Sequence, residues 1–165
     1  MSAIGVVKFE IGGTLYAIDI DLAREIVEMV PITPVPGVPQ EIEGIINLRG
    51  EVTNILNLNK FLGLSDAKNP EERKIIVLVP ARTGNSNTGI IVDNVHSVIQ
   101  AFETDIDPID NMISEEAYVK GVIKQISEDG KSQELIIWID LGKILDTILF
   151  NRSRDNSEEK NTAST

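Results

Sequence analysis

Gly44-Ile45-Ile46-Asn47-Leu48-Arg49-Gly50-Glu51 is the stretch on which the reading of this chain turns. An apolar strand runs from Gly44 to Leu48, and a second runs from Val52 through Leu56 to Leu58. The residues between them form a hairpin bend closed by glycine. An arginine at such a bend projects a permanently charged, rigid fork of donors away from the core. The plain alternative is a solvated turn arginine, since charge sits at the surface by default. Upstream of the bend lies Thr33-Pro34-Val35-Pro36-Gly37-Val38-Pro39, and downstream lies Leu58-Asn59-Lys60-Phe61-Leu62-Gly63-Leu64.

Working outward toward the N-terminus, Val7-Lys8-Phe9-Glu10-Ile11 alternates apolar and charged residues, as a strand with one buried face does. Gly12-Gly13 supplies a tight turn into a second strand, Thr14 to Ile20. The period then changes. Leu22, Ala23, Ile26, Val27 and Val30 fall at helical spacing, which predicts a helix with Asp21 as N-cap. Pro31, Pro34, Pro36 and Pro39 end it in an extended crossing.

Beyond the central hairpin, a short helical turn is expected to stop at Gly63. Residues 65–73 are polar and read as a connector. Lys74–Pro80 and Gly89–Val92 predict another strand pair, joined by a small polar loop at 82–88. The second half then echoes the first. Leu15 to Asp19 with Ile26-Val27 parallels Gly89 to Asp93 with Val98-Ile99. Gly44 to Asn47, Ile55 to Leu58 and Phe61-Leu62 recur as Gly121 to Lys124, Ile137 to Leu141 and Ile144-Leu145. Two strand-rich lobes with one wiring plan would explain this, and two repeats point to a pair of small barrels rather than a solenoid. Leu141, Ile144, Leu145, Ile148 and Leu149 predict a closing helix capped by Asp140. Residues 151–165 have almost nothing apolar and read as a disordered tail.

A chain of 165 residues suits one compact unit or two subdomains sharing a core. At that length folding buries roughly 70% of the unfolded surface. Cysteine is absent, which excludes disulfides and thiolate chemistry. With 26 acidic against 15 basic residues the formal charge is −11, the wrong sign for binding nucleic acid or an anionic membrane. Met1-Ser2-Ala3-Ile4 has no secretion-signal character, and the apolar runs at 75–79 and 135–139 are strand-sized, so a soluble protein is expected.

Catalytic chemistry is hard to assemble from what is present. His96 is the single histidine and lies among apolar neighbours, which leaves no ordinary zinc site or Ser-His-Asp set. Glu103, Asp105, Asp107 and Asp110 crowd together, but the glycine and closing glutamate of an EF-hand loop are missing. A carboxylate hydrolase built on Asp105 and Asp107 would need a sugar-stacking cleft, and aromatics make up only 4% of the chain. No phosphate-binding glycine loop occurs. The chain reads as a binding protein with no catalytic residue, metal or cofactor.

The order of strand, proline crossing, Gly44–Gly50 (GIINLRG), strand and Leu58–Leu64 (LNKFLGL) resembles the CheW family of bacterial and archaeal chemotaxis coupling proteins. The likeness runs from about Val7 to Leu149. It takes in Phe9 to Asp19 (FEIGGTLYAID), Glu25-Ile26-Val27, Ile90 to Val95, Gly121-Val122-Ile123 and the closing strand and helix. It implies a mainly β fold: two intertwined, five-stranded, SH3-like antiparallel barrels with a few short helices. These would occupy residues 1–150, roughly one per half, with the connector near 65–73. It also implies a non-enzymatic cytoplasmic adaptor, at receptor arrays beneath the membrane but not inserted in it. Its partners would be the cytoplasmic tip of a chemoreceptor and the regulatory domain of the histidine kinase CheA. A scaffold in another CheA-type pathway is the alternative, and a carboxylate hydrolase or metal-binding domain a more distant one.

Carried over by resemblance, Arg49 matches the arginine of the family's bend and Gly44 the glycine that opens its strand. Ala23, Glu25, Ile26 and Val27 match a helix flanking a groove between barrels, and Val98 an apolar position facing it. Arg49 is expected to pair with Glu25, and Ala23, Val27 and Val98 to form an apolar strip that accepts a receptor helix. The chain departs from the family in carrying Asn54 and Asn57 where proline and aspartate are usual, and in a longer loop at 83–88.

Overall fold

The computed structural model describes residues 3–64, 69–80, 83, 86–108, 118–127 and 129–148. The chain opens with strands β1 (Ala3–Ile11) and β2 (Thr14–Asp19), joined by Gly12 and Gly13 at φ 61° and 82°. Both angles lie in the left-handed region that a two-residue hairpin turn requires, which is why glycine serves here.

The helix expected after Asp21 does not form. A single 3₁₀ turn, Ile20–Leu22, leads directly into strand β3 (Ala23–Glu28). Ala23, Glu25 and Val27 are half-buried while Arg24, Ile26 and Glu28 are exposed, a period of two. The apolar residues Ile26 and Val30 lie on the exposed side, so the apolar pattern does not follow burial and imitates a helical period. Ile26, Val27 and Val30 are β-branched, which favours the extended chain once a neighbouring strand is available to pair.

The remaining elements are β4 (Ile42–Leu48), β5 (Glu51–Asn57), the short helix α1 (Leu58–Phe61), β6 (Lys74–Leu78), β7 (Thr88–Val92), β8 (Asn94–Phe102), β9 (Ile106–Asp107), β10 (Val119–Ile126), β11 (Gln133–Ile139) and helix α2 over residues 141–148. They form a six-stranded sheet ordered β8-β1-β2-β11-β10-β9 and a five-stranded sheet ordered β3-β6-β7-β5-β4. The fold is mainly β, as expected. Each half contributes the same series: β1 to β5 and α1, then β6, β7, β8, β10, β11 and α2. The leading hairpins are exchanged, however. β1–β2 joins the strands of the second half, and β6–β7 joins those of the first. Residues 65–73 therefore do not divide one sheet from the other. Where exchanged and resident hairpins meet, pairing is parallel, β2 with β11 and β5 with β7, so neither sheet is wholly antiparallel.

The chain itself spans the gap between the end strands of each sheet. β8 runs through a 3₁₀ turn, Glu103–Asp105, into β9 at the opposite end of its sheet. After β3, Thr33 forms a bridge with Ile45 of β4, each amide donating to the other's carbonyl at 2.9 Å. This approach requires Gly44, at φ 154°: a Cβ there would lie 2.3 Å from the Thr33 carbonyl oxygen.

A central core is shared by both sheets. Val7, Phe9, Ile11 and Ile18 from one meet Leu56, Ile76, Leu78, Ile90 and Val92 from the other, with Leu141, Ile144, Leu145 and Ile148 of α2 packed on the same cluster. Each sheet also has a private core, around Ala17, Ile123 and Ile136 in one and Ile46, Ile55 and Ile75 in the other. Asp140 caps α2 as expected, its Oδ1 accepting the Lys143 N–H at 3.0 Å. Leu149 and the tail expected at 151–165 lie outside the described residues.

Candidate functional site

The β4–β5 bend holds Arg49 at φ 54° and Gly50 at φ 86°, both left-handed. The Gly50 N–H donates to Asn47 Oδ1 at 2.8 Å, which fixes the turn. Arginine in this conformation costs about 1 kcal/mol or more that glycine would avoid. Its guanidinium Nη2 donates to Glu25 Oε2, the pairing expected from the sequence, although Glu25 sits on a strand and not on a helix. Arg49 is 66% exposed in its side chain and Glu25 21%. So exposed a pair contributes about 0–1 kcal/mol. Against this, Glu25 Oε1 is buried with no hydrogen-bond partner, a deficit of about 1–3 kcal/mol. Stability therefore does not account for the arrangement. Arg24, Glu25, Leu48, Arg49 and Glu51 line a cavity of about 130 Å³ around it.

Next to this pair along β3 lies a cleft of about 380 Å³ between β3 and β8, the end strands of the two sheets. Its apolar lining is Ile26, Val27, Val95 and Val98, with Val98 57% and Ile26 46% exposed. His96 also borders the cleft, and an ion pair of Lys74 Nζ with Glu28 Oε2 at 2.5 Å lies along it. Of the residues singled out from the sequence, Ile26, Val27 and Val98 come together here. Ala23 is not in this lining; it packs with Leu22 against the central core, so the strip expected of Ala23, Val27 and Val98 is short by one residue. Gly44 is likewise absent from the cleft, and its part is the close approach of Thr33.

Sequence reasoning missed a buried polar cluster. Arg73, assigned to the connector, is 6% exposed. Its Nε donates to Asp93 Oδ1 and its Nη2 to Asn59 Oδ1, each at 2.9 Å. Asp93 Oδ2 in turn accepts the Gly12 N–H at 2.7 Å, so one arginine ties the first hairpin to the turn after β7 and to α1. Asn57 Oδ1 accepts the Asn59 N–H at 3.0 Å and caps α1, so the departure from aspartate keeps the cap. Asn54 is exposed on β5. Lys8, placed on a solvated face by its alternation, is 5% exposed and pairs with Glu134 at 3.2 Å.

The acidic stretch has structural employment. Asp105 Oδ2 accepts the Phe102 N–H at 3.2 Å, and Asp107 pairs with Lys124 at 2.7 Å. Asp110 lies outside the described residues. Among the described residues no group of three or more His, Cys, Asp or Glu could hold a metal ion. No helix among them is long and apolar enough to cross a membrane.

Comparison with known proteins gives one consistent answer. Residues 5–149 match the family model described as a CheW-like domain. The chain is 35% identical over 143 residues to the chemotaxis protein CheW of Thermotoga maritima, covering 87% of this chain and 88% of that one. It is 31% identical to the chemotaxis protein CheW of Bacillus subtilis, covering 85% of each. Among solved structures it is similar to a crystal structure of the scaffolding protein TtCheW from Thermoanaerobacter tengcongensis. The TM-score is 0.67 at 33% identity, covering 84% of this chain and 89% of that one.

Proposed function

The chain belongs to the CheW-like family of chemotaxis scaffold proteins, which are not enzymes, and from that premise we propose that it couples chemoreceptors to the histidine kinase CheA. The receptor's cytoplasmic tip is a helical partner, and the β3–β8 cleft accepts it. The observation that carries this reading is the lining of the cleft: Ile26 and Val98 project from end strands of two different sheets and remain about half exposed. Apolar side chains left open between two rigid walls suit an amphipathic helix, whose residues at i, i+3 and i+4 would fill the gap. The kinase engages through its regulatory domain on another surface, and the complex works beneath the membrane without insertion.

Co-sedimentation tests the reading directly. Membranes bearing receptor should retain CheA in the pellet when this protein is present and lose most of it when the protein is omitted. A pellet with the same kinase content in both cases would defeat the proposal.

A further inference from the structure

His96 is the single histidine of the chain, and a β-bulge delivers it to the cleft. Val7 pairs with Val98 and Phe9 with Val95, so a step of two residues on β1 spans three on β8. Between these pairs Lys8 meets Ser97, and His96 has no partner on β1. An extra residue of this kind re-aims the side chains around it. Val95 and Val98 consequently line one cleft with His96 between them. A regular strand would turn residues three apart to opposite faces.

We propose that His96 makes occupation of the β3–β8 cleft depend on pH: a helix seats against the neutral imidazole and is released when the ring takes up a proton. This rests on the coupling function proposed above and adds a regulation of it. Histidine is the side chain whose charge changes between about pH 5 and 8. His96 is exposed, so water solvates either form of the ring. A docked helix replaces that water with apolar side chains, which disfavours an imidazolium that has no counter-ion.

The charged groups around the ring decide the sign. Glu28 of β3 is the one carboxylate among the described residues bordering the cleft. It is paired with Lys74 Nζ of β6 at 2.5 Å, so the pair offers an imidazolium no net negative charge. On β1, Lys8 and Glu10 lie on the opposite face from Val7 and Phe9, and the Lys8 ammonium turns to Glu134. Asp93, at the turn before β8, is held by Arg73 and by the Gly12 N–H. Docking therefore expels a proton from His96, and affinity falls as pH falls.

The test is calorimetric titration of the full chain with a soluble cytoplasmic fragment of a chemoreceptor, from pH of about 8 to about 5.5. Affinity should fall about fourfold to tenfold over that range, with log Kd changing by at most about one unit per pH unit, as a single proton requires. In two buffers of different ionisation enthalpy, the heats near the middle of the range should reveal a fraction of a proton released per complex. His96→Asn should lose most of the pH dependence and the proton release. His96→Lys, charged throughout the series, should bind more weakly than His96→Asn at every pH. Binding that tightens as pH falls, or that declines equally in His96→Asn and the unaltered chain, overturns the switch. Val98→Glu separates it from the coupling function. Binding that is lost in Val98→Glu, while both His96 variants keep the full pH dependence, sinks the switch alone. Binding indifferent to Val98→Glu, or absent from the unaltered chain at every pH, sinks the coupling function and the switch with it.

Discussion

Glu25 and Arg49 are bonded to each other although one lies on β3 and the other on the bend after β4, the two ends of the five-stranded sheet. Among the described residues no strand ladder joins those ends. The ion pair and the Thr33–Ile45 bridge link them instead. Arg49, with 66% of its side chain exposed, is thus fastened to the line along which the sheet meets itself.

Replacing Arg49 by alanine should leave the melting temperature nearly unchanged, because an exposed pair contributes about 0–1 kcal/mol, and should abolish kinase coupling in receptor arrays. Arg49→Gly should be the more stable of the two variants by about 0.5–1 kcal/mol, since φ 54° strains alanine but not glycine. Urea titration of both proteins checks the difference. An alanine variant as stable as the glycine one would contradict the left-handed turn.

Gly44→Ala should be the most damaging substitution among the described glycines. The added methyl would lie 2.3 Å from the Thr33 carbonyl oxygen and 2.8 Å from Ile32 Cγ2, at a positive φ as well. Its counterpart in the second half, Gly121, has its nearest neighbours at 3.0 and 3.1 Å, on Ile106 Cγ2 and the Asp107 carbonyl oxygen, so the side chain among them has room to yield. We expect a loss of about 3 kcal/mol or more for Gly44→Ala and about 1–2 kcal/mol for Gly121→Ala. Thermal melts of the two variants should rank them in that order.

Truncation after Asn151 should preserve fold and coupling, while truncation after Asp140 should not. The second cut removes Leu141, Ile144, Leu145 and Ile148, all buried in the shared core, and each large aliphatic side chain lost there costs about 2–5 kcal/mol. Circular dichroism melts of the two products decide the matter; similar melting would place the boundary wrongly.

Stability should fall at alkaline pH through Tyr16. Burial raises its phenol pKa above the ordinary 10.0, against a smaller lowering by the Thr14 hydrogen bond. Because the folded chain holds this proton more tightly than the unfolded one, the contribution is complete below pH 10 and is lost as pH rises through the raised value. Tyr16→Phe removes the titrating group. Its urea midpoint should decline less than that of the unaltered chain between pH of about 8 and 11, and parallel declines would rule this origin out.

Much of this architecture could be read from the residues. Gly12-Gly13 and Arg49-Gly50 mark the hairpins β1–β2 and β4–β5, Asp140 marks the cap of α2, and the recurrence of Gly44 to Asn47 as Gly121 to Lys124 points to strands β4 and β10. What failed to show has physical causes. The β3 segment reads as a helix because exposed Ile26 and Val30 break the apolar alternation that marks a strand. Lys8 looked solvated because alternation reports two faces but not what covers them, and here its ammonium reaches Glu134. Arg73 was invisible because its partners, Asn59 and Asp93, lie 14 and 20 residues away and are set by topology. At the site, Arg49, Ile26, Val27 and Val98 could be singled out, whereas Ala23 faces the shared core.

The exchange of leading hairpins bears on how the chain is synthesised. β1 and β2 leave the ribosome first, yet Val7 must pair with Val98, and Ala17 with Trp138. At about 5–20 residues per second, β2 waits roughly 6–24 s for its neighbour. Until β8 emerges, Val6, Phe9 and Ile18, which are fully buried in the finished protein, belong to a hairpin with no further strand beside it, and β2 lacks its outer partner until β11 follows. Neither half is a unit that can fold and be set aside while the other is made. A nascent chain stalled before Gln133 should accordingly leave β2 open to protease along the edge that β11 covers, and the emergence of β11 should close the six-stranded sheet.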